Sequence, residues 1–401
     1  MPSASPFASI PAAPPDPIFG LTEAFVADKR ENKVNLGVGV YQDASGKVPL
    51  LQAVKEAEVR WQKEETTKSY LPIDGVAAYN AEVQKLLFGA SSEIISEKRA
   101  VTVQAIGGTG ALKIGADFLK RFFPDASVHI SDPSWENHRA LFEAAGFQVD
   151  AYRYYDPATR GLDFDGMLAA IKAIPAGDVV VLHACCHNPT GVDLTVEQWK
   201  QVVELIAAGG QIPFLDFAYQ GFADGLDEDA FAVRLFVESG LQALISSSFS
   251  KSLSLYRERV GALTVTTTDA DESKRVLSQL KRTIRTNYSN PASHGGQVAA
   301  LVLSDPSLQS LWHSELEAMR CRILQVRKRF ASGLAERGAS GFGFIEQQRG
   351  MFSYTGLTKD QVARLREEFA IYAVDSGRIC VAALNENNLD AVIDAVAAVA
   401  S

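Results

Sequence analysis

Between about residues 100 and 265, short apolar runs alternate with amphipathic stretches, the pattern of a mostly parallel sheet covered by helices on both faces. AVTVQAI (100–106) reads as a buried strand that stops at GGTG; Leu112, Ala116, Leu119 and Phe123 follow at helical spacing until Pro124 ends the run. SVHIS (127–131), DVVVLHA (178–184), QIPFLDFA (211–218), ALISSSFS (243–250) and RVGALTV (259–265) continue the series, each with polar residues at its carboxyl end. Ligands of open α/β sheets sit outside those ends, so the chemistry is sought there.

Further on, Leu308, Leu311, Leu316, Met319, Ile323, Val326, Phe330 and Leu334 recur at helical intervals, predicting a long helix that bridges two domains. Beyond it GMFSYTGL (350–357) precedes a helix with Val362, Leu365 and Phe369 on one face and a closing helix with Leu389, Val392, Ile393 and Val396 on one face. The expected division is an N-terminal arm over 1–17, a large domain over 48–318, and a smaller α/β domain of 319–401 completed by 18–47. The arm is rich in Pro, Ala and Ser, a composition that favours an extended segment, either a loose tail or a strap across a partner subunit. There is no internal repeat.

Composition narrows the class. The 401 residues are 47% apolar and 22% charged, as in a water-soluble globular protein able to bury a large core. Lys and Arg number 39 against 48 Asp and Glu, a formal charge of −9, the wrong sign for neutralising nucleic acid or anionic lipid. Without a long apolar run or a basic, apolar start, a cytoplasmic protein is expected, with neither membrane nor nucleic-acid partner. Cys185, Cys186, Cys321 and Cys380 fit no disulfide framework.

Four segments could carry chemistry. GGTGAL (107–112) lies between a strand and a helix, where free N–H groups and the helix dipole can hold a phosphate, although a plain tight turn would read the same way. SSSFSKSLSLYRERVG (246–261) sets Lys251 among hydroxyl residues at a strand end. Such a lysine can be driven to a lower pKa and form a Schiff base with a carbonyl compound, with Ser248, Ser250 and Arg259 as donors to an attached phosphate; a solvated loop is the plainer reading. In HACCHNPTGVD (183–193) the crowding of His183, Cys185, Cys186 and His187 does not match metal-site spacing, so no metal is expected, and Asn-Pro-Thr-Gly reads as a fixed turn aiming Asn188 into a cleft. FLDFAYQGF (214–222) buries Asp216 in a central strand, where the carboxylate needs a cationic partner, either a protonated ring nitrogen or a structural Arg or Lys.

Taken in order, these segments resemble the fold-type I pyridoxal-phosphate aminotransferases, in particular their aspartate and aromatic-amino-acid branch. VNLGVGVY (34–41), YLPIDG (70–75), DPSWENH (132–138), RTNYSNPA (285–292), GMFSYTGL and SGRICVA (376–382) extend the likeness over nearly the whole chain. The resemblance implies a mostly parallel seven-stranded sheet with a smaller α/β domain. It also implies pyridoxal 5′-phosphate carried on Lys251, which then acts as the base moving the α-proton to the cofactor's C4′. Asp216, supported by His138, would keep the ring nitrogen protonated. Asn188 and Tyr219 would bond the phenolic oxygen, Trp135 would stack on the ring, and Gly108, Thr109, Ser248 and Arg259 would hold the phosphate. Arg378 would clasp the substrate α-carboxylate, with Gly39, Trp135 and Asn188 nearby; Arg285 would meet a side-chain carboxylate, and Arg285 and Tyr70 would come from the second subunit of a homodimer.

The implied reaction is reversible ping-pong transamination between L-aspartate, tyrosine or phenylalanine and 2-oxoglutarate. Another pyridoxal-phosphate chemistry, decarboxylation or lyase activity, is the alternative, and the two arginine forks speak against it. Leu253 and Ser254 depart from the aromatic-then-small pair expected after the lysine, and Gly107 stands where aspartate-selective members often carry Ser. Val40, Gln42, Val48, Ser69, Thr109 and Asn290 mix polar and apolar character at the expected mouth, which predicts that both substrate classes are accepted.

Overall fold

In the computed structural model, residues 5–13 and 18–400 are described. One sheet holds the strands β1 (Ala100–Ile106), β2 (Val128–Asp132), β3 (Val149–Arg153), β4 (Val179–His183), β5 (Ile212–Phe217), β6 (Leu244–Ser248) and β7 (Val260–Thr266). Their order across the sheet is β1-β7-β6-β5-β4-β2-β3. Neighbours run parallel except at β7, which is antiparallel to both β1 and β6. Alternation along the strands divides the core in two: Val179 and Val181 join the cluster on one face, Val180 and Leu182 the cluster on the other. Six strands fall where the apolar runs predict them. The seventh, β3, is an edge strand in which Val149 and Tyr152 are buried while Asp150, Ala151 and Arg153 are exposed, so its sequence shows no clean period.

The helix after β1, α1 (Gly107–Phe122), begins at Gly107. The GGTG expected as a connecting turn is therefore the helix's own first turn. Gly107 has φ +66° and an added Cβ would lie 2.6 Å from Arg259 Nη2, while a Cβ on Gly261 would lie 2.3 Å from the Gly107 carbonyl carbon. Only a glycine pair lets β7 and the start of α1 approach this closely.

A short helix, α2 (Glu136–Ala144), follows β2, and the predicted long helix is α3 (Pro306–Glu336), of 31 residues. Asp305 caps α3 by accepting from the Ser307 and Leu308 N–H groups, with Pro306 in its first turn. Near its start Trp312 Nε1 donates to the Ser252 carbonyl at 2.7 Å; near its end Gly333 lies against Ile393 of the closing helix α4 (Leu389–Ala400).

The start of the chain joins its end. Val34–Asn35 pairs in parallel with Ile371–Tyr372, and Phe352–Tyr354 pairs antiparallel with Arg378–Cys380, bringing Arg378 beside the large sheet. Of the arm expected over 1–17, residues 1–4 and 14–17 lie outside the described residues; 5–13 are exposed. No described helix is long and apolar enough to cross a membrane.

Candidate active site

The carboxyl ends of β4, β5 and β6, the first turn of α1 and the Arg378 strand surround a cavity of about 510 Å³. Gly39, Gly108, Thr109, Trp135, Asn188, Asp216, Tyr219, Ser248, Lys251, Arg259 and Arg378, all singled out in the sequence, line it.

Asp216, the penultimate residue of β5, is 6% exposed. Its Oδ2 is 3.0 Å from His138 Nε2, and His138 Nδ1 is 2.9 Å from Ser134 Oγ. Burial works against the charge, but the His138 hydrogen bond and the fields of His138 and Lys251 outweigh it and hold the carboxyl below its ordinary value. Among the described residues no hydrogen bond reaches Asp216 Oδ1, leaving an anionic acceptor on the cavity wall.

Lys251 follows β6, its Nζ 4.8 Å from the centre of the Tyr219 ring. Desolvation pushes its pKa down to about 8, with Arg259 adding to the effect and Asp216 opposing it. A lysine so placed offers an appreciable fraction of free amine near neutral pH.

A second corner is built for an anion. The N-terminal N–H groups of α1 at Gly108 and Thr109, the Ser248 and Ser250 hydroxyls and the Arg259 guanidinium converge there. Arg259 Nη1 donates to Ser250 Oγ at 3.3 Å and to the Tyr256 carbonyl at 2.8 Å, and no described carboxylate pairs with it. A Cβ on Gly108 would come within 3.0 Å of Ser248 Cβ, so the backbone itself forms the floor.

Opposite lies Arg378, 1% exposed, with its guanidinium carbon 4.4 Å from the centre of the Phe352 ring. Nη1 donates to Asn188 Oδ1 at 3.0 Å and Nη2 to the Gly37 carbonyl at 2.7 Å, while Nε has no partner among the described residues. Asn188 precedes a cis proline in a turn held by Gly191 N–H to the His187 carbonyl. A Cβ on Gly39 would fall 2.5 Å from Phe352 Cζ, so a side chain there would collide with the ring beneath the fork.

The cavity thus offers a reactive amine facing a buried carboxylate, an anion cup at one end and a buried guanidinium at the other. Over residues 31–396 the sequence matches the family described as aminotransferase class I and II. The chain belongs to this family. An aspartate aminotransferase of Pseudomonas aeruginosa is 60% identical over 97% of this chain and 98% of its own length. An aromatic-amino-acid aminotransferase of Escherichia coli is 51% identical over 98% of this chain and 100% of its own. The crystal structure of an aromatic-amino-acid aminotransferase from Burkholderia pseudomallei, covalently bound to pyridoxal phosphate, superposes with a TM-score of 0.97 at 60% identity, covering 99% of this chain and 100% of that one. This chain is an enzyme that transfers amino groups, an aminotransferase of fold-type I.

Two residues expected at the site lie elsewhere in the single aminotransferase chain. Tyr70 is 90% exposed, and Arg285 is an exposed residue of the helix Ala270–Asn287 bonded to Ser289; neither lines the cavity. The wall also includes Tyr256 and Phe352, to which sequence reasoning assigned no role. Tyr256 Oη accepts from the Tyr41 N–H at 2.9 Å. The signal for Phe352 was available only through its strand pairing with Cys380, beside Arg378.

Among the described residues, two clusters of metal-ligating residue types also form, His138 with His183 and Asp216, and Cys185 with Cys186 and Asp229. In the first, His138 Nε2 and Asp216 Oδ2 already bond each other. In the second, the Asp229 carboxylate accepts from the N–H groups of Gly221, Ala223, Asp224 and Gly225, which makes it a structural loop anchor.

Proposed function

We propose that this aminotransferase uses pyridoxal 5′-phosphate on Lys251 to move amino groups between L-aspartate or the aromatic amino acids tyrosine and phenylalanine and 2-oxoglutarate. The observation carrying this reading is the one cavity in which Lys251 faces Asp216 while Arg259, paired with no described carboxylate, and the start of α1 form an anion cup. The donor set fits the cofactor: an anionic acceptor for a ring N–H, a partly deprotonated amine for an aldehyde, and hydroxyl, backbone and guanidinium donors for a phosphate. When bound, the cofactor supplies an aldehyde that exchanges between amines and a ring that accepts the electrons of a broken Cα–H bond.

The residues divide the remaining work. Asp216, buttressed by His138, holds a proton on the ring nitrogen. Tyr219 and Asn188 donate to the phenolic oxygen, and Trp135 covers the ring. Gly108, Thr109, Ser248 and Arg259 hold the phosphate, joined by Tyr70 of a second copy. Arg378 receives the α-carboxylate through its unpartnered Nε–H and an Nη, and Gly39 leaves room for the substrate backbone. Lys251 Nζ, once released from the cofactor, would take the proton from the substrate Cα and deliver it to the cofactor's C4′. Arg285 of a second copy reads the side-chain carboxylate of a dicarboxylic substrate. The reading includes a cytoplasmic homodimer with shared sites. It also includes the division into a large domain, 48–318, and a small one of 18–47 and 319–401, supported by the pairing of the chain's start with its end.

The test is direct. Loaded with pyridoxal phosphate, the protein should show a visible absorbance band, and borohydride should fix the cofactor on Lys251, as mapped by mass spectrometry. A label on another residue, or none, overturns the reading. Steady-state rates with aspartate, tyrosine and phenylalanine against 2-oxoglutarate then rank the substrates; product formed without any oxo-acid acceptor would instead support a decarboxylase or lyase.

A further inference from the structure

The Arg378 fork is a buried cation with no carboxylate in hydrogen-bond contact among the described residues. One anion stands just outside that range: Glu136 Oε2 lies 4.0 Å from Arg378 Nη1. Glu136 opens α2 immediately after Trp135, its side chain is 34% exposed, and no described residue hydrogen-bonds its carboxylate. It lines a second cavity of about 800 Å³ that shares Ile18, Thr109, Trp135 and Arg259 with the first. A nearly sealed guanidinium without a counter-ion is costly, and a carboxylate at the rim offsets part of that cost without filling the fork.

We propose that Glu136 is a placeholder for the substrate: its carboxylate competes for the Arg378 fork and swings toward solvent when an α-carboxylate arrives. The inference rests on the assignment of Arg378 as the carboxylate anchor. Because the α-carboxylate is common to all substrates, Glu136 sets affinity for each of them alike. Arg285, in contrast, distinguishes substrates by side chain.

The experiment measures the binding of two unreactive acids, 3-phenylpropionate and succinate, to the pyridoxal-phosphate-loaded enzyme, followed by the change in cofactor absorbance. Glu136→Gln keeps the size and removes the charge at an exposed helix start; thermal melts of each variant should match the parent. Its dissociation constants for both acids should fall about two- to fivefold, the scale of a partly exposed ion pair. Glu136→Asp, one methylene shorter, should bind as Glu136→Gln does if contact with the fork matters. Unchanged or weaker binding by Glu136→Gln, tightening for only one of the acids, or a Glu136→Asp variant that matches the parent, would each overturn the placeholder while leaving the site assignment intact. Failure of the parent enzyme to bind either acid would overturn the site assignment and the placeholder with it.

Discussion

Lys251 shows how opposed effects settle a residue's chemistry. Leaving water favours the neutral amine, Asp216 favours the ammonium, and Arg259 sides with desolvation; the balance sits at about 8. Free amine, the form that attacks an aldehyde, therefore increases as pH rises through about 8 and not near the ordinary lysine value. Stopped-flow capture of pyridoxal phosphate by cofactor-free protein should accelerate with a midpoint near that pH; a midpoint two units higher would show that Lys251 is solvated in solution. Asp216 is the complementary case. Asp216→Asn keeps the shape but removes the anion, and should lower kcat by at least about 10²-fold while circular dichroism shows the fold retained. These residues were legible because each stands alone of its kind at the carboxyl end of a predicted strand. Tyr256 and Phe352 were not, since an aromatic in a loop or short strand reads as ordinary packing until its neighbours are known. Burial and two adjacent imidazoles keep His183 neutral, and neither ring nitrogen has a partner among the described residues.

Elements carry these side chains, and α3 also anchors a strand of the site. Arg327, about two thirds of the way along it, is 1% exposed and donates to the carbonyls of Ile345, Gly350 and Phe352 and to Ser353 Oγ. Four oxygens stand in for a counter-ion, and they fix the short strand that puts Phe352 beneath Arg378. Arg327→Met should destabilise the protein by about 3 kcal/mol, since it leaves buried carbonyls unpaired, and should raise KM for every amino acid more than it lowers kcat. Denaturant titration and steady-state kinetics check the two effects, and an unchanged KM would separate Arg327 from the fork. Periodicity gave the length of α3 but not this role, because a lone arginine on an apolar helical face carries no signal of what surrounds it. The departures after Lys251 are explained at the same scale. Leu253 is fully buried, and Ser254, in the left-handed region at φ +54°, donates from Oγ to the Pro49 carbonyl at 2.7 Å. Neither lines the cavity, so the substitutions alter the backing of the loop and leave its reactive face alone.

For the whole molecule, the decisive fact is what one chain leaves outside its own cavity. Tyr70 and Arg285, proposed to meet the cofactor and the substrate, are both solvent-facing and apart from the lining. Sequence motifs name such residues without telling which copy's cavity they serve, because that depends on how two surfaces dock and not on local pattern. If Arg285 serves the neighbouring site, replacing it with Ala should impair aspartate far more than phenylalanine, since only aspartate would then leave a buried carboxylate unpaired. Mixing separates a shared site from a self-contained one. An Arg285→Ala chain keeps Lys251, and a Lys251→Ala chain keeps Arg285, so in the mixed pair one cavity receives both native residues and the other neither. Random reassociation of equal amounts after gentle denaturation gives mixed pairs in about half of the dimers, so aspartate activity should recover to about a quarter of the parent level. Were Arg285 instead to reach the cavity of its own chain by a rearrangement, every cavity in the mixture would lack one of the two residues, and no recovery above the Arg285→Ala contribution would appear.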